Sequence, residues 1–326
     1  MATLQSIGIT GMSGLAPTPM QSYVVQNYLR NNELLNALRW TNIGLGSSLG
    51  NFIASVVVSD GSVEAVGRAL GEEYTGDNEV LRQENITLKM LGGAILSDIE
   101  IQRAFRSTVQ SVASAYTQTQ IETRLHAIEK GFAKWFIQGD SSLDGKQFDG
   151  IEKYLTAKAS SQVVNAAIDI SNLDNTKALA ADKKINEVVA LMKHEPSFIL
   201  TTRKGAAWLT TLNQHAHRNT EAIEFNSIKY KQYNGVAIVC VDDSCFKPTD
   251  LVDKYPLYFI YTDENEGVRV AVPADGQLMI VQLPKFDNGT GNMTSKGSVE
   301  LCCAPIFERL AIAKTFITDK VAAASK

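Results

Sequence analysis

Apolar residues recur at helical spacing through the middle of the chain: Ile121, Leu125, Ile128, Phe132, and Trp135 with Phe136. Val109, Val112, Ala113 and Tyr116 keep the same period one register earlier. Ser97, followed three residues later by Glu100, has the form of a capping box. No proline, and no glycine before Gly131, interrupts the run to Gln138. The pattern predicts one long helix, or a broken pair, over about 97–138 with one face buried. Gly139 stops it, as a glycine past a helix end commonly does.

Upstream the period changes to two. Residues 52–58, "FIASVVV", read as a strand. Ile86, Leu88 and Met90 alternate with Thr87 and Lys89 in a second strand. Between them lies a charged, turn-rich stretch, so the two form a long hairpin with a polar tip. An isolated hairpin is marginal in water, and this one has few local apolar residues to rest on. It must bury against something else, another subunit included.

The remaining pattern is mixed. Residues 1–18 are rich in Gly, Thr, Ser and Pro and read as an extended arm. A short helix is expected from Met20 to about Arg39, broken by "TNIGLGSSLGN". Its glycines, Gly44, Gly46 and Gly50, miss a dinucleotide fingerprint by one position and lack a preceding strand, so a connector is expected and no cofactor. Residues 155–195 look mostly helical, Phe198–Thr201 reads as a short buried strand, and "RKGAAWLTTLNQ" as a helix. Ile223 to Pro284 is strand-rich, and "SVELCCAPIFERLAIAKTFI" adds two more strand-like runs. The fold class is α+β with long-range strand pairing.

Length and composition narrow the function classes. At 326 residues the prior is roughly two domains. A 44% hydrophobic and 20% charged composition is globular, and a net charge of −4 argues against a dedicated nucleic-acid binder. Cys240, Cys245, Cys302 and Cys303 match no zinc spacing and read as reduced, buried thiols of a cytosolic protein. Adjacent Cys302 and Cys303 would point to opposite faces of a strand. No signal peptide and no membrane-spanning run is present. The best metal candidates are His215 and His217, which would share one face of a strand with Glu221 nearby, but "NQHAHRNTEA" reads more simply as a polar loop. No nucleophile elbow occurs, and Glu72–Glu73 and Asp242–Asp243 read as solvated carboxylates. The residues thus describe a protein without a visible active site, carrying an arm and a hairpin that both need partners.

The order of these parts resembles the major capsid proteins of tailed phages, which share the Hong Kong 97-type fold. The resemblance rests on an arm, a charged hairpin ending "ENITLKMLGGAILSDIE", a long helix, and then "FIQGD" and "QFDGI". In that family the helix is the spine of a peripheral domain. A Gly-Asp step ends it, and an "FDGI"-like phrase leads toward an axial domain. Gly139, Asp140, Phe148, Asp149 and Gly150, with Ile151, occupy those positions, which implies a structural junction.

The resemblance implies residues 1–50 as the arm, 51–95 as the extended loop and 96–154 as the peripheral domain with its spine helix. Residues 155–285 would be the axial domain and 286–326 the return to the peripheral domain. The implied function is a shell of hexamers and pentamers of this chain, enclosing phage DNA in the virion and assembled in the host bacterial cytoplasm. Partners would be separate scaffolding, portal and decoration proteins, with non-specific contact to packaged double-stranded DNA and none to a membrane. The arm starts almost at Met1, so a fused scaffold is not expected. Glu72, Glu73, Asp77, Glu79, Arg82, Glu84 and Lys89 become candidates for intersubunit contact. Lys89 lies away from the loop tip, and no covalent cross-link is expected. An encapsulin-type compartment keeps the same fold with a different content. A metal-dependent enzyme using His215 and His217 is the alternative of a different class.

Overall fold

The computed structural model describes residues 32–43, 53–59, 70, 81–98 and 110–318, apart from 166, 172, 217, 219, 227, 252–253, 264–265, 274–278 and 283–293. The described chain opens with a one-turn helix, α1 (Glu33–Ala37), capped by Asn32, whose Oδ1 accepts the Leu35 N–H at 2.7 Å. The expected helix to Arg39 does not run that far. Leu38 turns extended, and Arg39–Ile43 form strand β1, which pairs in parallel with Arg269–Pro273. Trp40, Thr41 and Ile43 suit a strand, and pairing decides between the two propensities. Met20 to Asn31, and the glycines at 44, 46 and 50, lie outside the described residues.

Strands β2 (Ile53–Ser59) and β3 (Leu81–Thr87) form the expected antiparallel hairpin, with Ile53 opposite Thr87 and Ser59 opposite Leu81. After Leu88 the chain continues as β4 (Lys89–Asp98). Here the expected helix start at Ser97 is overturned. Ser97 and Asp98 pair with Ser295 and Thr294 in a ten-residue antiparallel ladder, and that pairing prevails over the local capping pattern. The long helix, α2, is described from Gln110 to Gln138; Val109 and the side chains of Val112, Ala113 and Tyr116 lie outside the description. Its buried stripe is Ile121, Leu125, Ile128, Phe132 and Phe136, with Ala133 and Ile137 beside it.

After α2 come α3 (Ile151–Lys158), β5 (Ile168–Asp169), α4 (Asn175–Val189), β6 (Phe198–Thr202) and α5 (Arg203–His215). A short 3-10 turn and β5 therefore interrupt the stretch expected to be helical. Then follow β7 (Ile223–Phe225), β8 (Ile228–Tyr233), β9 (Val236–Val241), β10 (Lys254–Ile260), β11 (Arg269–Pro273), β12 (Met279–Gln282), β13 (Thr294–Ile306) and β14 (Ile312–Thr318).

Two larger sheets organise these strands. One has the order β5-β14-β10-β6-β9-β8-β7, and the other β1-β11-β13-β12 with β4 also paired to β13. The seven-stranded sheet is buried on both faces, which explains its unbroken apolar runs. Leu257 and Phe259 of β10, with Ile199 of β6, face α4 and α5, where Ala178, Ile185, Leu209 and Leu212 lie. Tyr258, Ile260, Phe198 and Leu200 point the other way, into the core shared with α2. The last two strands divide between the sheets: β13 pairs with β4, whereas β14 pairs with β10 and β5.

The thiols behave as expected of a strand. Cys303 faces the main core, while Cys302 faces a small cluster with Leu88, Ala271, Ala304 and Ile306. All four cysteines are free, and burial pushes the Cys240 thiol up to about 11. Ile86 and Leu88 pack on that small cluster, but Met90, expected on the same side, is 47% exposed.

Candidate functional site

The junction behind α2 is built on backbone contact. The Gly139 N–H donates to the Trp135 carbonyl at 2.8 Å, closing the last helical turn. The Gly150 N–H then donates to the Gly139 carbonyl at 2.8 Å, so the two ends of the intervening loop meet. A Cβ at Gly139 would stand 2.3 Å from the Phe148 carbonyl oxygen and 2.4 Å from that of Trp135. A Cβ at Gly150 would stand 2.5 Å from the Trp135 oxygen. Close approach, not handedness, requires glycine at both positions. Phe148 returns into the core edge-on to Trp135, at 5.6 Å between ring centroids, and 5.9 Å from Phe132. The aromatic end of the helix and the "QFDGI" restart are therefore one packing unit.

The polar half of the loop is organised around a lysine that sequence reading did not single out. The Lys153 ammonium donates to Asp140 Oδ1 at 2.7 Å, to Asp149 Oδ1 at 2.9 Å and to Ser142 Oγ at 2.6 Å. Asp140 Oδ1 also accepts the Ser142 N–H at 2.9 Å, and Asp149 Oδ1 the Ser141 N–H at 2.7 Å. Lys153, followed by Ser142, holds Asp140 well below the usual carboxylate range. Burial pushes Asp149 up, but Ser141 and Lys153 outweigh it and leave it low. Asp140, then Asp149, raise Lys153 above its ordinary value. The i,i+4 spacing of Asp149 and Lys153 at a helix start was the available signal.

The signs of these shifts set a pH window. The depressed carboxylates stabilise the fold above their unfolded value of about 3.9, and that contribution is lost as pH falls through the folded values. The raised lysine stabilises below about 10.4, and its contribution is lost as pH climbs through its folded value. The junction is therefore expected to weaken below about pH 4, and Lys153→Met to flatten that acid limb. Denaturant unfolding at a series of acid pH values checks this; parallel curves for the two proteins would contradict it.

A second network lies beside the first. Lys314 Nζ on β14 donates to Glu152 Oε1 of α3 at 2.7 Å and to Asp250 Oδ2 at 3.1 Å. The Tyr258 hydroxyl of β10 donates to the same Glu152 oxygen at 2.6 Å. Burial, then Glu152, push the Tyr258 hydroxyl far up, so it stays a donor. The lysine side chain is only 5% exposed. The junction helix is thus tied to the seven-stranded sheet by buried charge. A lone lysine in the apolar run "AIAKTFI" was the sequence signal for such a pair.

The other sequence candidates are placed as follows. Lys89 reaches the junction loop of its own chain, donating to the Gly145 carbonyl at 2.6 Å. Arg82 and Glu84 lie on β3 opposite Val58 and Val56. Glu72, Glu73, Asp77 and Glu79 lie outside the described residues. His215 ends helix α5 instead of sitting on a strand, so the shared-face geometry needed for a metal is not formed; His217 is outside the description. Among the described residues no group of three or more His, Cys, Asp or Glu could hold a metal ion, and no helix is long and apolar enough to cross a membrane.

No family model and no curated protein matches the chain. Solved structures do match. The encapsulin of the holo-SrpI complex from Synechococcus elongatus PCC 7942 is similar at a TM-score of 0.57 and 15% identity, over 90% of this chain and 89% of that one. The capsid of the native GTA particle gives 0.54 at 14% identity, over 88% and 89%. A structure of Mycobacterium phage Adephagia gives 0.52 at 13% identity, over 89% and 91%. The chain has the Hong Kong 97-type fold. At these identities the likeness is one of fold. Within the Hong Kong 97-type fold, the glycine-clamped loop and the two lysine networks are the places where this sequence holds its long helix, its β4–β13 ladder and its seven-stranded sheet together.

Proposed function

We propose that the chain is the major capsid protein of a tailed phage, which assembles with copies of itself into the icosahedral head shell around the genome. The observation that carries this reading is a fold likeness spanning about nine-tenths of both chains for a GTA capsid and an encapsulin. In this reading α2 is the spine of a peripheral domain, together with the β4–β13 ladder. The seven-stranded sheet is the axial domain, to which β14 contributes, and Gly139–Gly150 is the junction between them. Residues 1–50 supply the arm and 51–95 the extended loop. Separate scaffolding, portal and decoration proteins, and packaged DNA held non-specifically, are the partners proposed with it. A net charge of −4 is compatible, because small cations can neutralise confined DNA.

The encapsulin likeness supports a second reading, a compartment around a protein cargo. Particle content separates the two. Particles from the native source should hold nuclease-protected double-stranded DNA for the capsid reading; a single co-purifying protein and no DNA would favour the compartment.

The acidic loop residues are proposed to set contacts between neighbours. Each exposed pair contributes only about 0–1 kcal/mol, but a closed symmetric shell repeats it at every subunit. Reversing both Glu72 and Glu73 to Lys is expected to lower shell yield while the subunit keeps its circular dichroism and melting profile. Shells of normal size at normal yield would remove this role from the loop.

A further inference from the structure

Helix α4 covers one face of the seven-stranded sheet with Ala178, Ala181, Ile185 and Val188 and turns its other face outward. Along the outer face runs a row of side chains four residues apart: Leu179, Lys183, Glu187 and Leu191, all exposed. Ala190 and Leu191 extend the last turn past Val189, their N–H groups donating to the Asn186 and Val188 carbonyls at 2.9 and 3.1 Å. Leu179 is 72% exposed and Leu191 37%, and they are two of the five large apolar side chains exposed among the described residues. Single exposed leucines are ordinary, but two at the ends of one row, with opposite charges between them, make a pattern. The row reads apolar, positive, negative, apolar, and in reverse it is its own complement. We infer that this row is a contact with a second copy of the chain, the two α4 helices antiparallel about a twofold axis, Leu179 against the partner's Leu191 and Lys183 against the partner's Glu187.

Helix geometry admits this contact. Rows of residues four apart lie side by side in the commonest class of helix crossing, near 50°. Ala180 and Ala190 flank the row, one on each side, and their small side chains let a second row settle alongside. The same twofold relates Ala180 to the partner's Ala190. Within one chain Lys183 stands N-terminal to Glu187, the weaker order for a pair inside a helix, which leaves both charges available to a partner. The contact is isologous, whereas a ring repeats a head-to-tail contact, so it joins free subunits or subunits of different rings. One helix face is smaller than the roughly 1,200 Å² of a standard interface, so the pair is weak and charge sets its register more than its strength.

The inference goes beyond the shell reading and is tested apart from it. Two variants are made, Lys183→Glu and Glu187→Lys; both changes are on the exposed face and leave the buried face of α4 untouched. The first gives the row two acids and the second two lysines, so neither can pair with itself but each can pair with the other. Each single variant removes both symmetry-related ion pairs, and sedimentation over a concentration series should show a dimer at least about tenfold weaker than wild type. Mixing the two variants should restore it. The mixture, one variant isotopically heavy, is then treated with a carbodiimide, which joins a carboxylate to an amine and takes up the water released. Mass spectrometry should find position 183 or 187 of the one variant joined to position 183 or 187 of the other. Free subunits and particles are both read, so the result does not depend on whether shells form, and a lack of particles would count against the shell reading alone. No such link in the mixture, or single variants that dimerise as wild type does, would overturn the α4 contact.

Discussion

Lys314→Met is expected to destabilise the folded subunit by about 3–5 kcal/mol, the cost of leaving buried partners of an ion pair uncompensated. The ammonium is almost fully buried between Glu152 and Asp250, 2.7 and 3.1 Å away. It also lies 4.7 Å from the centroid of the Phe316 ring and 5.3 Å from that of Tyr258, over the aromatic faces. Removing it strands two carboxylates, with the Tyr258 hydroxyl still donating to Glu152. Changing Glu152 to Gln in the same protein should recover part of the loss, because one of the stranded charges is gone. Equilibrium denaturant unfolding gives the figure. A loss near the 0–1 kcal/mol of an exposed pair would show that water reaches the network and that the buried tie does not exist.

Three glycines in one short segment should answer differently to the same substitution. Gly139→Ala and Gly150→Ala each place a methyl within 2.3–2.5 Å of a backbone carbonyl oxygen. Backbone cannot swing aside as a long side chain can, so the loop ends must separate, breaking the Gly150–Gly139 hydrogen bond. Overpacking of this kind costs about 1–3 kcal/mol, and these two sites belong at or above the upper end. Gly145→Ala meets nothing within 4 Å and is expected to be near neutral. Unfolding of the three variants side by side measures this. Equal losses at all three, or a neutral Gly139→Ala, would mean that the junction is not clamped by close backbone approach.

Much of the architecture was legible because its physics is local and periodic. The stripe from Ile121 to Phe136 predicts the buried face of α2, and its glycine stop falls where the helix ends. The two-sided burial of β6 and β10 is written in their unbroken apolar runs. The opposed faces of Cys302 and Cys303 follow from strand geometry alone. What was misread depended on distant partners. Ser97 and Glu100 have the pattern of a helix cap, yet Ser97 and Asp98 end a strand because β13 pairs with them nearly two hundred residues later. Arg39 to Ile43 likewise become a strand through β11. At the junction the glycines and aromatics were visible as motifs. Lys153 and Lys314 carried only faint signals, an acid four residues before the one and an apolar run around the other, and their full sets of partners meet only once the chain closes around them.

The central claim is that the chain is a shell subunit, and its most direct test is electron microscopy of the purified protein after size fractionation. The account predicts closed icosahedral shells, or hexameric and pentameric rings, with the long helix and the seven-stranded sheet resolved in every subunit. A chain that stays monomeric at every concentration, both alone and co-expressed with its neighbouring genes, would contradict it.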